Sequence, residues 1–263
     1  MKRFQIVCLV MAFLAIPMVA CALPGIEVEV AIGGWMQTPS GDLSYVSGVP
    51  GLDDTLDLET DLGLDDETRI TGRAIVKLPI VPNIYLAASP MEFEGKNTID
   101  RDFTFGDQTY PAGAEITSKL TLNQYDIGLF YGIPLLKTAT MDKLGIDFGI
   151  NARIMDIKAE IAGQPVGSTI VVHEEKKVNV PIPMVYLGIQ FYPLESFGIE
   201  AEARGLSIGD NKIFSVIGRA KAKVFGPAFI AGGYRYDSIE IDEEDVVADI
   251  SFSGPFLEAG LSF

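Results

Sequence analysis

The sequence predicts an all-β fold: a transmembrane, antiparallel, up-and-down β-barrel of about ten strands, with about eight to twelve as the bounds. Three observations predict it. The dominant hydrophobic period beyond residue 25 is two. The mean hydropathy is positive, +0.27, although the formal net charge is −16. No apolar run beyond the N-terminus approaches the length of a membrane-spanning helix.

The N-terminus is set aside first. Lys2 and Arg3 precede an apolar run from Phe4 to about Val19, and Ala20-Cys21-Ala22 ends it with small residues. This is the three-part pattern of a secretory signal, so residues 1–22 are read as a signal peptide cleaved after Ala22 and 23–263 as the mature domain. A second reading makes Cys21 the lipidated first residue of a lipoprotein. Cys8 and Cys21 are the only cysteines. Cleavage after Ala22 leaves a mature chain with no disulfide, zinc-thiolate site or cysteine nucleophile. Losing Lys2 and Arg3 takes two positive charges from −16 and leaves −18. A chain so acidic is no general binder of nucleic acid, whose phosphates require basic patches.

The alternation recurs segment by segment. Ile146, Phe148, Ile150, Ala152 and Ile154 alternate with Asp147, Gly149, Asn151 and Arg153. Phe214, Val216, Gly218, Ala220, Ala222 and Val224 alternate with Ser215, Ile217, Arg219, Lys221 and Lys223. Successive side chains of a strand point to opposite faces, so each segment has one apolar and one polar face. Strands are expected near 26–37, 68–79, 84–95, 116–132, 145–161, 178–192, 197–209, 213–225, 228–240 and 249–263. Tight turns at 79–83, 193–196 and 226–227 and a connection of moderate length at 134–144 alternate with longer polar connections at 38–67, 96–115, 162–177 and 241–248; only 210–212 breaks the trend. Short turns at one end and long loops at the other are how outer-membrane barrels are built.

A soluble β-sandwich or lipocalin-like barrel also alternates, with its apolar face inward. Three features favour the membrane barrel. Charged residues share their face with glycines and alanines, as in a crowded lumen. Aromatics gather at strand ends: Tyr85, Tyr131, Phe148, Phe191, Phe197, Phe229 and Phe263 near the short turns, and Trp35, Phe93, Phe214, Tyr234 and Tyr236 near the long loops. The chain ends on Phe263, with Leu261, Ala259 and Leu257 on the same face.

Segment 256–263 resembles the β-signal by which bacterial outer-membrane proteins are recognised by their assembly machinery, with Phe263, Leu261, Ala259 and Leu257 at the matching positions. The mature chain also resembles a family of small outer-membrane β-barrel proteins of Gram-negative bacteria whose function is unassigned. The stretches Leu56-Asp57-Leu58-Glu59-Thr60-Asp61-Leu62-Gly63-Leu64 and Pro79-Ile80-Val81-Pro82-Asn83-Ile84-Tyr85-Leu86 carry that likeness. The resemblance implies a location in the outer membrane, contact with its lipid and lipopolysaccharide, and handling by the assembly machinery. It brings no catalytic residues.

An outward apolar face assigns Glu27, Glu29, Glu92, Glu94, Asp126, Asp147, Glu200, Glu202 and Glu258 to the lumen. Arg73, Lys77, Arg153, Arg204, Arg219, Lys221, Lys223 and Arg235 join them. These nine acids and eight bases should pair, because unpaired buried charge is costly, and a barrel this narrow should be mostly plugged. The excess acid lies in the long connections, which are expected to project from the cell. They are read as solvated loops or, alternatively, as divalent-cation sites, since clustered carboxylates are hard oxygen ligands. The spacing Asp53-Asp54-x-x-Asp57-x-Glu59-x-Asp61 lacks the glycine and terminal glutamate of an EF-hand. No cofactor is expected.

His173 is the only histidine. With Glu175 to orient it and Ser168 or Thr169 nearby it could serve a hydrolase, yet no Gly-x-Ser-x-Gly elbow marks a nucleophile. Gly232-Gly233 is read as close strand packing. The expected role is non-enzymatic, structural or surface-binding, in a monomer. A narrow channel or small-molecule transporter is the second reading and a hydrolase using His173 the third.

Overall fold

The computed structural model describes residues 25–45, 55–134, 136–166, 171–243 and 246–263. The expected signal peptide, 1–22, lies outside them, as do Asp53, Asp54, Ser168 and Thr169.

Fourteen strands and one short helix are found among the described residues. They are β1 (Glu27–Tyr45), β2 (Leu56–Asp57), β3 (Glu67–Lys77), β4 (Asn83–Ser89), β5 (Glu92–Ile99), β6 (Phe103–Phe105), β7 (Gln108–Tyr110), β8 (Ala114–Gly132), α1 (Leu136–Ala139), β9 (Leu144–Gly163), β10 (Val172–Leu194), β11 (Phe197–Ile208), β12 (Asn211–Phe225), β13 (Ala228–Glu243) and β14 (Val246–Ser262). Ten staves form an antiparallel meander in the order β1, β3, β4, β8 to β14, and β14 returns to pair with β1 from Glu29↔Ser262 to Tyr45↔Val246. The sheet is thereby closed and has no continuous free edge. β5 extends the β4 stave past Pro90 without a change of register on β8, Ser89↔Gln124 being followed by Glu92↔Thr121.

Gly25, Phe263, the tight turns after β3, β10 and β12 and the longer connection 133–143 lie at one end, here the inner end; the connections after β1, β5 and β9 lie at the outer end with the tight turn at Gly209-Asp210. Several staves run further outward than the alternation suggested. β1 reaches Tyr45, β9 reaches Gly163, and β10 begins at Val172. Segments 38–67, 96–115, 162–177 and 241–248 are thus partly strand, because charged residues there still alternate with apolar ones.

The outer surface carries an apolar belt. Ile32, Ile70, Ile127, Leu129, Ile150, Val185, Leu187, Ile199, Ile230 and Leu257 are exposed, a surface suited to lipid rather than water. Tyr131, Phe148, Phe191 and Phe197 edge it towards the inner end, and Phe214, Tyr234 and Tyr236 towards the outer. Tyr85, Phe229, Trp35 and Phe93 depart from the expected girdles, being buried in the lumen. There their rings pack under cations or against other aromatics. Gly233 is a close-packing site: a Cβ there would lie 2.0 Å from the carbonyl oxygen of Gly218.

Candidate functional site

The lumen is divided along its axis. At the inner end is a polar vestibule of about 650 Å³ that includes Glu27, Lys77, Asp147, Gln190 and Lys223. Lys77 and Glu27 pair at 3.1 Å at its rim.

Above it lies a layer of paired charge. Arg73 Nη1 stands 2.7 Å from Glu29, and its Nη2 stands 2.7 Å from Glu258. Arg219 Nη1 lies 2.7 Å from Glu202 and 3.1 Å from Glu200. Arg204 donates to Glu202, and Lys221 to Glu29 and Glu200. Four bases thus meet four acids. Rings complete the layer: Arg204 lies over Tyr85 at 4.3 Å and Lys221 over Phe229 at 4.4 Å, contacts that favour a desolvated cation.

A second tier follows towards the outer end. Arg153 makes a two-pronged contact with Asp126 at 2.9 and 3.0 Å, and Asn151 donates to the same carboxylate at 2.7 Å. Arg235 donates to Asp237, Gln124 and Ser89 at 2.6 to 2.8 Å and stacks 4.2 Å from Trp35. Arg153 and Arg204 are each only 1% exposed. The void left in this section is about 40 Å³, enough for a water molecule or two. The paired lumen read from the sequence is present here, with two corrections: Asp237, absent from that reading, is buried against Arg235 at 2.7 Å, and Glu92 and Glu94 face outward, where they bind Lys119 at 2.5 and 2.9 Å.

The outward turn of Glu92 and Glu94 has a general cause. Beyond the second tier the two faces exchange chemistry while the inward parity of each strand stays the same, even on β8 and odd on β9. On β8, Ile116, Leu120 and Leu122 are buried inside while Lys119 is outside; on β9, Met155 and Ile161 point in while Asp156, Lys158 and Glu160 point out. Phe93 and Phe252 stack inside at 5.3 Å. The outer lumen is therefore an apolar chamber of about 530 Å³, walled among others by Leu43, Leu122, Met155, Ile182, Ile213, Ile239 and Ile250. Sequence reasoning missed it. The signal was a one-residue slip in the alternation, seen at Ile154-Met155, where apolar positions change from even to odd.

Two outer-end segments pack into the same apolar cluster as the chamber walls. The acidic stretch 56–64 is ordered. Leu56, Leu58, Leu62 and Leu64 are at most 3% exposed, and the segment spans from β1, through Leu43↔Leu56, to β5, through Leu64↔Gly95. Its carboxylates hold the turn. Asp57 accepts the Glu59 and Thr60 N–H groups at 3.0 and 2.6 Å, and Asp61 accepts Arg101 at 2.9 Å. Among the described residues no three Asp, Glu, His or Cys side chains gather as a metal set. The β6–β7 hairpin crosses the mouth. Gly106 N–H donates to Tyr45 O at 2.8 Å, and Val166 N–H donates to Thr109 O at 2.9 Å. Burial, with help from Glu174, pushes the Tyr110 hydroxyl up to about 12, so the phenol stays uncharged at neutral pH.

His173 is exposed on the outward face of β10, opposite Ala162. Glu175, two residues on, lies 3.2 Å from Lys158. On β14, Leu257 is exposed to the outside and Phe263 exchanges backbone hydrogen bonds with Val28 at 2.9 and 3.0 Å. Leu261 and Ala259 alternate with Glu258, which faces the lumen.

No family model and no curated protein matches the chain. Solved structures do. The outer membrane protease OmpT from Escherichia coli shares 9% identity over 91% of this chain and 97% of its own, with a TM-score of 0.52. The attachment invasion locus protein Ail of Yersinia pestis shares 11% over 90% and 99%, with a TM-score of 0.41. The translocator domain of the autotransporter NalP from Neisseria meningitidis shares 11% over 98% and 97%, also at 0.41. The likeness to OmpT is one of fold. The chain is a β-barrel of the kind found in Gram-negative outer membranes, and its apolar belt fits that lipid environment.

Proposed function

We propose that this barrel is a non-enzymatic binder of small apolar molecules, held in its outer half, with the paired-charge tiers barring passage to the inner vestibule. The observation that carries this reading is the chamber: about 530 Å³ of apolar-walled space above buried ion pairs. Its size falls within the range of small-molecule pockets. A barrel that needed only to be filled would close such a space with larger side chains, because empty apolar volume costs stability. In this reading the inner end, with its three tight turns, faces the periplasm and the chamber lies towards the outside of the cell. In the same reading Leu257, Ala259, Leu261 and Phe263 form the signal that the assembly machinery reads, and the barrel works as a monomer.

The test is equilibrium binding of N-phenyl-1-naphthylamine, an apolar fluorophore, to the refolded protein in lipid nanodiscs. Saturable binding is expected, weakened at least tenfold by Leu122→Asp, which sets a carboxylate in the chamber wall. Binding that is unsaturable, or unmoved by that change, contradicts the proposal.

A narrow channel is the second reading, favoured by the presence of cavities on both sides of the charged tiers. It requires those tiers to part, and predicts a steady salt-dependent current in a planar bilayer that Arg219→Met alters. A silent barrel is expected instead. The hydrolase reading predicts lipid or peptide cleavage abolished by His173→Ala; no such activity is expected.

A further inference from the structure

We infer that the chamber opens sideways into the outer leaflet through the seam between β10 and β11, so that its ligand is an apolar, chain-like molecule dissolved in the membrane. The inference rests on the apolar-binding reading above and adds the route and the source. It starts from the ladder. β10 and β11 pair from Leu194↔Phe197, across a bulge, to Val185↔Gly205 and then stop. β11 continues for three more residues to Ile208, and β10 continues outward paired only to β9. The staves have parted before the β11–β12 turn is reached.

Two prolines stand where the pairing fails. Tyr192 donates its N–H to Lys143 O across the β9 side at 2.7 Å. Even-numbered residues of β10 therefore turn their backbone groups to β9, and odd-numbered ones turn theirs to β11. Pro181 and Pro183 are odd and have no N–H to give. They remove two donors from the edge that faces the gap. The ladder cannot extend through them. What β10 turns to the gap at these two positions is a carbonyl without an N–H, which halves the unpaired polar groups along that edge.

The chamber reaches this gap. Pro181 and Pro183 face outward with Val185, yet they line the chamber together with Ile182. Leu206 and Ile208 line it from the β11 side. Both prolines sit where β10 has lost its β11 neighbour, so the lining of the chamber runs up to the gap. The level is also right. Across β9, Pro183 and Pro181 stand opposite Ala152 and Ile154, the last apolar residues of that outer row before Asp156. The seam thus meets the outer edge of the apolar belt. Among the described residues the gap between β1 and β5 is patched by Leu56 to Leu64, and the β6–β7 hairpin crosses the mouth.

The test locks the seam. Continuing the register from Val185↔Gly205 brings position 183 opposite 207, so the variant is Pro183→Cys with Ser207→Cys, closed by oxidation or, where the strands sit too far apart, by a bis-maleimide. The probe is a diazirine-bearing alkane dissolved in the nanodisc bilayer, flashed at successive times. Labelled residues are identified by peptide mass spectrometry. In the open form, labels are expected on chamber residues such as Ile182 and Met155. In the locked form, chamber labelling should slow at least tenfold while outward residues such as Leu187 and Ile150 label as before. Breaking the disulfide should restore the rate, or, for the bis-maleimide form, the unbridged double variant should label at the open rate. Chamber labelling at an unchanged rate in the locked form overturns the lateral route but leaves the apolar-binding reading standing. No chamber labelling in either form, with outward labelling intact, overturns both.

Discussion

Along β9 the inner half turns Asp147, Asn151 and Arg153 to the lumen and Phe148, Ile150 and Ile154 to the lipid; the outer half turns Met155, Ile157 and Ile161 inward and Asp156, Lys158 and Glu160 outward. One strand therefore follows two opposite patterns. In the inner half the surroundings are lipid, so polar groups gather inside and must satisfy one another. In the outer half the surroundings are water, so the chain folds as a soluble barrel does, apolar side in. The comparison teaches that facing is decided by what lies outside the wall at each height. The boundary between the two regimes is where Arg153, Asp126, Arg235 and Asp237 sit.

The two halves should break differently. The largest effect is expected from unpairing the inner half. Arg219→Met leaves Glu200, Glu202 and Glu258 short of a partner, and should cost about 3–5 kcal/mol of stability in urea titrations of the refolded barrel. Adding Glu202→Gln to it should recover a large part of that loss, because the pair and not the single charge is what the layer requires. If the double variant is no better than the single, the charge-pairing account of the inner half is wrong.

The outer half should respond as a packed apolar core. Phe93→Ala, which removes the partner of Phe252, should cost about 3 kcal/mol or somewhat more. Leu58→Ala should cost about 2 kcal/mol and act on the patch between β1 and β5, read as faster amide exchange in residues 56–64 than in β9. Equal acceleration throughout would mean that this segment is not a separate local unit. The smallest effect belongs to the outer surface. Glu92→Gln loosens an exposed pair with Lys119 and should change stability by no more than about 0.5 kcal/mol. A large loss there would mean that Glu92 is buried, as assigning every apolar face outward implied.

The fold was legible because a barrel strand writes itself as period two, and segments such as 214–224 and 146–154 did so clearly. Which charges of the inner half face the lumen was legible too, since Glu200, Glu202 and Arg204 share one face of their strand and Arg73, Arg153 and Arg219 each lie on the polar face of theirs. The chamber is not legible when the apolar residues of every strand are assigned outward. That assignment turns Glu92 and Glu94 inward and Met91 and Phe93 outward, the reverse of what the structure shows. The patch was hidden for a different reason. Its acids, Asp57, Glu59 and Asp61, dominate the composition of 56–64, while the leucines that dock it are spaced two, four and two apart and match neither a strand nor a helix. The parting of β10 from β11 could be suspected from Pro181 and Pro183, since proline is confined to strand edges and bulges, but only the register shows which neighbour is lost.

The most direct test of the divided lumen is the anomalous diffraction of bromine from crystals of the protein grown with a brominated alkane. The account predicts bromine in the outer lumen, bounded below by the Arg153–Asp126 tier, among Leu122, Met155, Ile182 and Ile250. Bromine in the inner vestibule, or only on the outer apolar belt, would contradict it.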